Sequence, residues 1–243
     1  AAMATIGNNY DVALILDADN VIPYTYLNDV NDLYACPGVE IVQTHRVAKN
    51  LNNDMALLDA MSEEINNTIF RLGHAKLGMS AALIGSGMAF RYDLFRDTMA
   101  NIKAVGGFDR ELELTLLYQG KYFHYLPETF VFDEKVQNTN DFSRQRRRWL
   151  SAQWHYCTVF ARFVFKAIAS RNWDFCDKMF QQVSIPRLLL LGFTFFLAFI
   201  CSFYNFFWSI KWWGIFLLLV IALLAAVPRR FCTSRLAMAF QKL

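Results

Sequence analysis

The segment "VALILDADN", Val12 to Asn20, carries an apolar run into two aspartates one residue apart. In an extended chain Asp17 and Asp19 project to the same side. Two carboxylates so placed offer hard oxygen ligands, which suit Mg2+ or Mn2+ and leave positions open for phosphate oxygens. The same residue types cap ordinary turns, so the pair alone leaves a turn and a cation site both open.

Three other clusters could do chemistry. In "QRRRWL", Gln145 to Leu150, tryptophan presents a flat apolar face on which a sugar ring can stack, and arginine a planar fork suited to a diphosphate. The same residues could simply hold the chain to a membrane surface. In "GGFDRELELTL", Gly106 to Leu116, the acids Asp109, Glu111 and Glu113 gather near a helix start. They could complement the helix dipole, or one could take a proton from an attacking hydroxyl as a general base. In "LIGSGMAFR", Leu83 to Arg91, the Gly85-Ser86-Gly87 triplet either lets backbone approach a ligand closely or turns a loop. A Walker phosphate loop is excluded, because its lysine is missing.

These residues need elements to hold them. "VALIL" and "VEIVQTH" read as strands, and "NDMALLDAMSEEINNTIFRLGHAK" as a long helix with Met55, Leu58, Met61, Ile65 and Ile69 along one side. "ELELTLLYQG" reads as a helix stopped by Gly120, followed by the strand patterns "KYFHYL" and "TFVFDE". Such alternation predicts an α/β sheet with helices on its faces, and in open sheets of that class ligands bind beyond the carboxyl ends of the strands. There is no internal repeat.

The chain has 243 residues and a net charge of +3, too small to indicate a nucleic-acid partner. Its composition changes along its length: 15 of the 23 phenylalanines follow residue 159, and all six tryptophans follow residue 148. The five cysteines are odd in number, widely spaced and free of any C-x-x-C, which supports reduced thiols over a disulfide framework or a zinc site. The opening "AAMATIGNNYD" has no initiator methionine and no signal-peptide pattern, and it reads as the end of a helix, so a fragment of a longer protein is expected.

Between Arg187 and Lys211 lie 23 residues without a charge, about 34 Å as a helix and enough to cross a hydrocarbon core of ~30 Å. The next 17, "WWGIFLLLVIALLAAVP", form a second span ended by Arg229 and Arg230, with Lys211, Trp208, Trp212 and Trp213 at the intervening turn. Basic residues crowd both outer flanks (Arg146, Arg147, Arg148, Arg162, Lys166, Arg171, Lys178 and Arg187 before; Arg229, Arg230, Arg235 and Lys242 after). By the positive-inside rule both ends of this hairpin, and residues 1–180 with them, are cytosolic. In residues 144–171, Trp149, Tyr156, Phe160, Phe163 and Ala167 recur at helical spacing. That stripe suits a helix lying in the membrane interface, and an amphipathic core helix would read the same way.

Taken in order, "LDADN", "GSGMAFR", the acidic helix start with "LELTL", "DE", "QRRRW" and the paired spans resemble the membrane-bound family 2 glycosyltransferases, the group of the cellulose, chitin and hyaluronan synthases, in their bacterial type. The resemblance covers essentially the whole chain. It implies a GT-A, Rossmann-like catalytic domain (partial, residues 1–143), interfacial amphipathic helices (144–182), two transmembrane helices (183–229) and a cytosolic tail (230–243). By the same resemblance Asp17 and Asp19 are the D-x-D that grips Mg2+ or Mn2+ and, through it, the donor diphosphate. Gln145, Arg148 and Trp149 are the Q-x-x-R-W motif, holding donor diphosphate and acceptor sugar, and Gly85, Ser86 and Gly87 lie near the sugars. Glu134 matches an acidic position after the last strand, with a structural role.

Two departures stand out. Where the family carries Glu-Asp before its Leu-Glu-Leu-Thr stretch, this chain has Arg110-Glu111, which makes Glu111 the expected base and Asp109 the substitute. The family's first strand and nucleotide-base loop have no counterpart here, so these 243 residues alone are expected to bind donor poorly and to be inactive. The expected activity of the whole protein is a metal-dependent inverting transfer from a nucleotide-sugar, a UDP-sugar, to a glycan or lipid-linked acceptor at the cytosolic membrane face. The competing reading is a non-catalytic membrane scaffold with a degenerate GT-A fold, suggested by Arg110. A receptor or transporter would place polar groups in the spans, where Asn205 is the only strongly polar residue.

Overall fold

The computed structural model describes residues 7, 9–103, 107–228 and 231. Gly106, the flanking Arg229, Arg230, Arg235 and Lys242, and Cys232 lie outside them. The core is a mixed sheet of β1 (Val12–Ile15), β2 (Ile41–Ala48), β3 (Met88–Arg91) and β4 (Phe123–Asp133), in the order β1-β3-β2-β4. Strand β3 is antiparallel to both its neighbours, while β2 and β4 are parallel. It follows that β1, β2 and β4 all point the same way, and their carboxyl ends share one edge.

Side chains alternate across the pleat and build two apolar layers. On one face Ile41, Met88, Phe90 and Phe123 pack with Leu112, Leu114 and Leu116 of α4 (Phe108–Tyr118), Tyr156 and Phe160 of α5 (Thr139–Ala161), and Phe175 and Met179 of α7 (Trp173–Val183). On the other, Val42, Ala89 and Val131 meet Tyr26 and Val30 of α1 (Tyr26–Tyr34). Strand β3 was not legible as a strand, being only four residues after a glycine loop. Its neighbour α3 (Tyr92–Met99) follows without a linker.

The two segments read as separate strands, "KYFHYL" and "TFVFDE", form one strand. Thr44 pairs with Leu126 and His45 with Phe130, so Pro127, Glu128 and Thr129 bulge out between them. Proline has no N–H to give the ladder, and its carbonyl is taken instead by His45 Nδ1 at 2.8 Å. The long helix begins as α2 (Asp54–Asn66), capped by Asn53, whose side chain accepts from Ala56 N at 2.7 Å. It continues through a π-helical stretch, Asn67–Gly73, into His74–Lys76.

The stripe on residues 144–171 faces inward. Tyr156 and Phe160 of α5 and Ala167 of α6 (Val164–Ala169) are buried in the first apolar layer, whereas Trp154 and Phe165 are 70% and 84% exposed. The helical period marked a core-facing side, and the surface side carries its own aromatics. Helices α8 (Arg187–Tyr204) and α9 (Phe206–Ala226) are long and apolar enough to cross a membrane. The break between them falls at Asn205 rather than at Lys211. Asn205 is extended, and its side chain accepts from Trp208 N at 3.2 Å, so the one strongly polar residue of the run caps α9. Lys211 lies one turn into that helix, over the Trp208 ring.

Candidate functional site

The D-x-D residues leave β1 in a tight turn, closed by Asn20 N donating to Asp17 O at 3.1 Å. The Asp17 N–H donates to Asn20 Oδ1 at 3.1 Å and to Ser86 Oγ at 3.3 Å. Ser86 Oγ in turn donates to Asn20 Oδ1, so the Gly-Ser-Gly loop and the acidic turn are tied together. Oxygens of Asp17, Asp19 and Asp133 lie within 4.8 Å of one another. Asp133 is the last residue of β4 and arrives there because β1 and β4 end at the same edge of the sheet. Sequence reasoning passed over it in favour of its neighbour Glu134, which is half exposed and meets Lys49 at 3.9 Å. The usable signal was a carboxylate closing a parallel strand.

Asp17 is pushed above the ordinary aspartate range by burial and by the charges of Asp133, Asp19 and Asp109, while Arg46 pulls it back. Three hard oxygen donors crowded together form a donor set that fits a divalent cation, whose charge would offset the acidic neighbours that raise Asp17. Behind the trio lies a buried ionic lattice. Arg46 Nη2 meets Glu63 of α2 at 2.8 Å, and Lys135 Nζ meets Asp133 at 2.9 Å and Glu63 at 3.5 Å. Arg46 Nε lies 3.8 Å from Asp133 and has no hydrogen-bond partner. Burial alone would raise the Glu63 carboxyl, but Arg46, Lys135 and Arg71 hold it down at about 2. The lattice fixes the position of Asp133.

The Gly-Ser-Gly loop needs its glycines. Gly85 and Gly87 have φ of +80° and +64°, and a Cβ at Gly87 would lie 2.6 Å from Thr44 Oγ1. A Cβ at Gly85 would lie 3.2 Å from Asp109 Oδ2. Asp109, in the first turn of α4, therefore faces this loop and acts on Asp17. Glu111, in the same turn, accepts from the Tyr156 hydroxyl at 3.3 Å. Glu113 is directed elsewhere: it is buried, paired to Lys178 at 2.7 Å, and accepts from Leu83 N at 2.8 Å. Arg110, at the position that departs from the family pattern, donates to Gln182 at 3.1 Å and so joins α4 to α7.

On α5, Arg146 reaches Asp59 at 2.8 Å and lies over the Phe142 and Trp149 rings. Gln145 and Trp149 are half-buried, Gln145 Oε1 has no hydrogen-bond partner, and Arg148 is exposed. Among the described residues no ion pair or hydrogen bond joins Gln145, Arg148 or Trp149 to the acidic trio. The structure thus brings together Asp17, Asp19, Ser86 and Asp109, with Glu111 in the same first turn of α4 as Asp109, and leaves the QRRRW residues as a separate group on α5.

A helix-flanked mixed sheet with acids gathered at its carboxyl edge has the α/β architecture of the GT-A-like class. Residues 12–228 match Glycosyl transferase family group 2, and the chain belongs to that family. The family carries inverting glycosyl transfer from a nucleotide-sugar donor to an acceptor. No curated protein matches the chain.

Proposed function

We propose that the protein is a metal-dependent member of the cellulose, chitin and hyaluronan synthase type, a hexosyltransferase moving a sugar from a UDP-sugar to a glycan or lipid-linked acceptor. The observation that carries this reading is the meeting of Asp17, Asp19 and Asp133 at the carboxyl edge of the sheet, beside the acids of α4. These three would hold Mg2+ or Mn2+, which when bound neutralises charge on the departing diphosphate. Glu111 accepts the acceptor's hydroxyl proton while the freed oxygen pair attacks the anomeric carbon. The bond from that carbon to the diphosphate oxygen breaks with inversion, and its electrons leave with UDP. Asp109 is the substitute base. Gln145 and Arg148 hold the diphosphate and Trp149 the acceptor sugar, while Gly85, Ser86 and Gly87 line the approach.

Helices α8 and α9 anchor the chain as a multi-pass hairpin in the cell membrane, with the catalytic domain on the cytoplasmic side. The exposed aromatics of α5, α6 and α7 meet lipid. In this position a glycan or lipid-linked acceptor reaches the site along the membrane surface.

The test uses the full-length gene product in membrane vesicles, following UDP release with Mn2+ or Mg2+ over a panel of UDP-sugars, beside Asp19→Ala. Release from one sugar, lost in the variant, supports the reading. A variant indistinguishable from the parent, with no release from any sugar, moves the non-catalytic scaffold to the front.

A further inference from the structure

Helix α5 presents one face to α4. Trp149, Ala152 and Tyr156 stand three and four residues apart, so they lie along a single side of the helix. Ala152 is the point of closest approach: a Cβ on Gly107, at the cap of α4, would lie 3.2 Å from the Ala152 Cβ and 3.9 Å from the Tyr156 ring. Only glycine there, at φ +68°, lets the helices come this near. That closeness brings the Tyr156 hydroxyl to Glu111 Oε2 at 3.3 Å. The contact is clamped from the far side, where Arg110 reaches Gln182 Oε1 at 3.1 Å and Gln153 donates to Gln182 O at 2.8 Å.

We propose that Tyr156 is a positioning residue for transfer: its phenol holds Glu111 Oε2 so that Oε1 is presented to the attacking hydroxyl. The inference rests on Glu111 being the base. Tyr156 is 5% exposed, and burial, followed by the nearby Glu111 and Asp109 charges, pushes its phenol up to about 12. The phenol therefore stays protonated and can only donate to an ionised carboxylate. Among the described residues Oε1 of Glu111 has no hydrogen bond. A separation of 3.3 Å is long for a charge-assisted contact, and such contacts tighten when substrate closes the site. Two turns earlier on the same face, Trp149 would stack on the acceptor sugar, so one helix face would set both the ring and the base that deprotonates it. Arg110, the departure from the family pattern, has a purpose here: it pins the base-bearing turn to α7.

The test is a double-mutant cycle on the full-length protein in vesicles, using whichever UDP-sugar releases UDP fastest in the panel. Tyr156→Phe keeps the ring and removes only the donor. It is expected to lower kcat about 10-fold and leave the donor KM within about 2-fold, because a misplaced base slows the chemical step without weakening binding. Glu111→Gln is expected to lower kcat about 100-fold or more. In the Glu111→Gln background, Tyr156→Phe should cost nothing further. An equal loss in both backgrounds, or a rise in KM alongside kcat, would assign Tyr156 a packing role and overturn the inference. So would a Tyr156→Phe enzyme that matches the parent while Glu111→Gln is dead, although the base reading would then survive. Full activity in Glu111→Gln would remove the base reading and this inference with it, while the metal reading stood.

Discussion

Asp17 illustrates how a site can be built against the stability of its own fold. Its carboxyl is raised by burial and by three acidic neighbours, so the native state holds the proton more tightly than the unfolded chain does. A raised aspartate destabilises the native state once it ionises, so stability falls as pH rises through the shifted value. Replacing Asp17 by Asn should therefore raise the melting temperature of the metal-free protein near neutral pH, and the gain should vanish toward pH 4. Mn2+ should reverse the order, stabilising the parent and leaving Asp17→Asn unmoved, since a cation binds only the intact trio. Thermal melting with and without Mn2+ over that pH range checks both signs. A parent protein whose melting temperature ignores Mn2+ would count against the trio as a cation site. Asp17 and Asp19 could be read from the sequence because the motif is local. Asp133 could not, because what makes it a partner is the strand order, 114 residues away by 133 − 19.

At the scale of elements, α5 and α6 carry aromatic residues on two sides with opposite fates. Phe160 lies in the first apolar layer against Phe163 and Phe175, whereas Phe165 is almost fully exposed. Truncating Phe160 to Ala should cost ~3 kcal/mol through lost burial and a cavity. Truncating Phe165 in detergent should cost under ~0.5 kcal/mol. Denaturant melts of the two variants separate these outcomes, and equal costs would contradict the inward-facing stripe. The helical period was plain in the sequence, but a period says only that a helix has two sides. Which side meets the core depends on the sheet, and the sheet includes β3, whose four residues carry too little pattern to announce themselves. The β4 bulge was hidden for a related reason: Pro127 and Glu128 look like a break between strands, and only the parallel partner β2 bridges them. Asn205 could be read as polar, though not as a cap, because capping depends on where the chain turns.

At the scale of the whole molecule, α2 joins parts that lie far apart in sequence. Glu63 on one side supports the lattice behind Asp133, while Asp59 holds Arg146 and Ser62 accepts from Arg187 at 3.1 Å. Leu57 and Ala60 pack with Phe231, and Val227 joins them, so both ends of the apolar hairpin meet the same helix. If α8 and α9 cross a membrane as proposed, the sheet lies on the side where the hairpin begins and ends. Basic residues crowd that side, and the membrane potential and anionic lipid favour such a side facing the cytosol. Cys36 provides a reporter, being exposed in the sheet domain, while Cys157, Cys176 and Cys201 are partly covered. In a Cys232→Ser background, a membrane-impermeant maleimide should label the protein in inside-out vesicles and leave it unlabelled in intact cells, and adding Cys36→Ser should remove most of the signal. Labelling from intact cells, abolished by Cys36→Ser, would place the domain outside, away from the cytosolic pool of nucleotide-sugars, and the proposed donor could not reach Asp17 and Asp19.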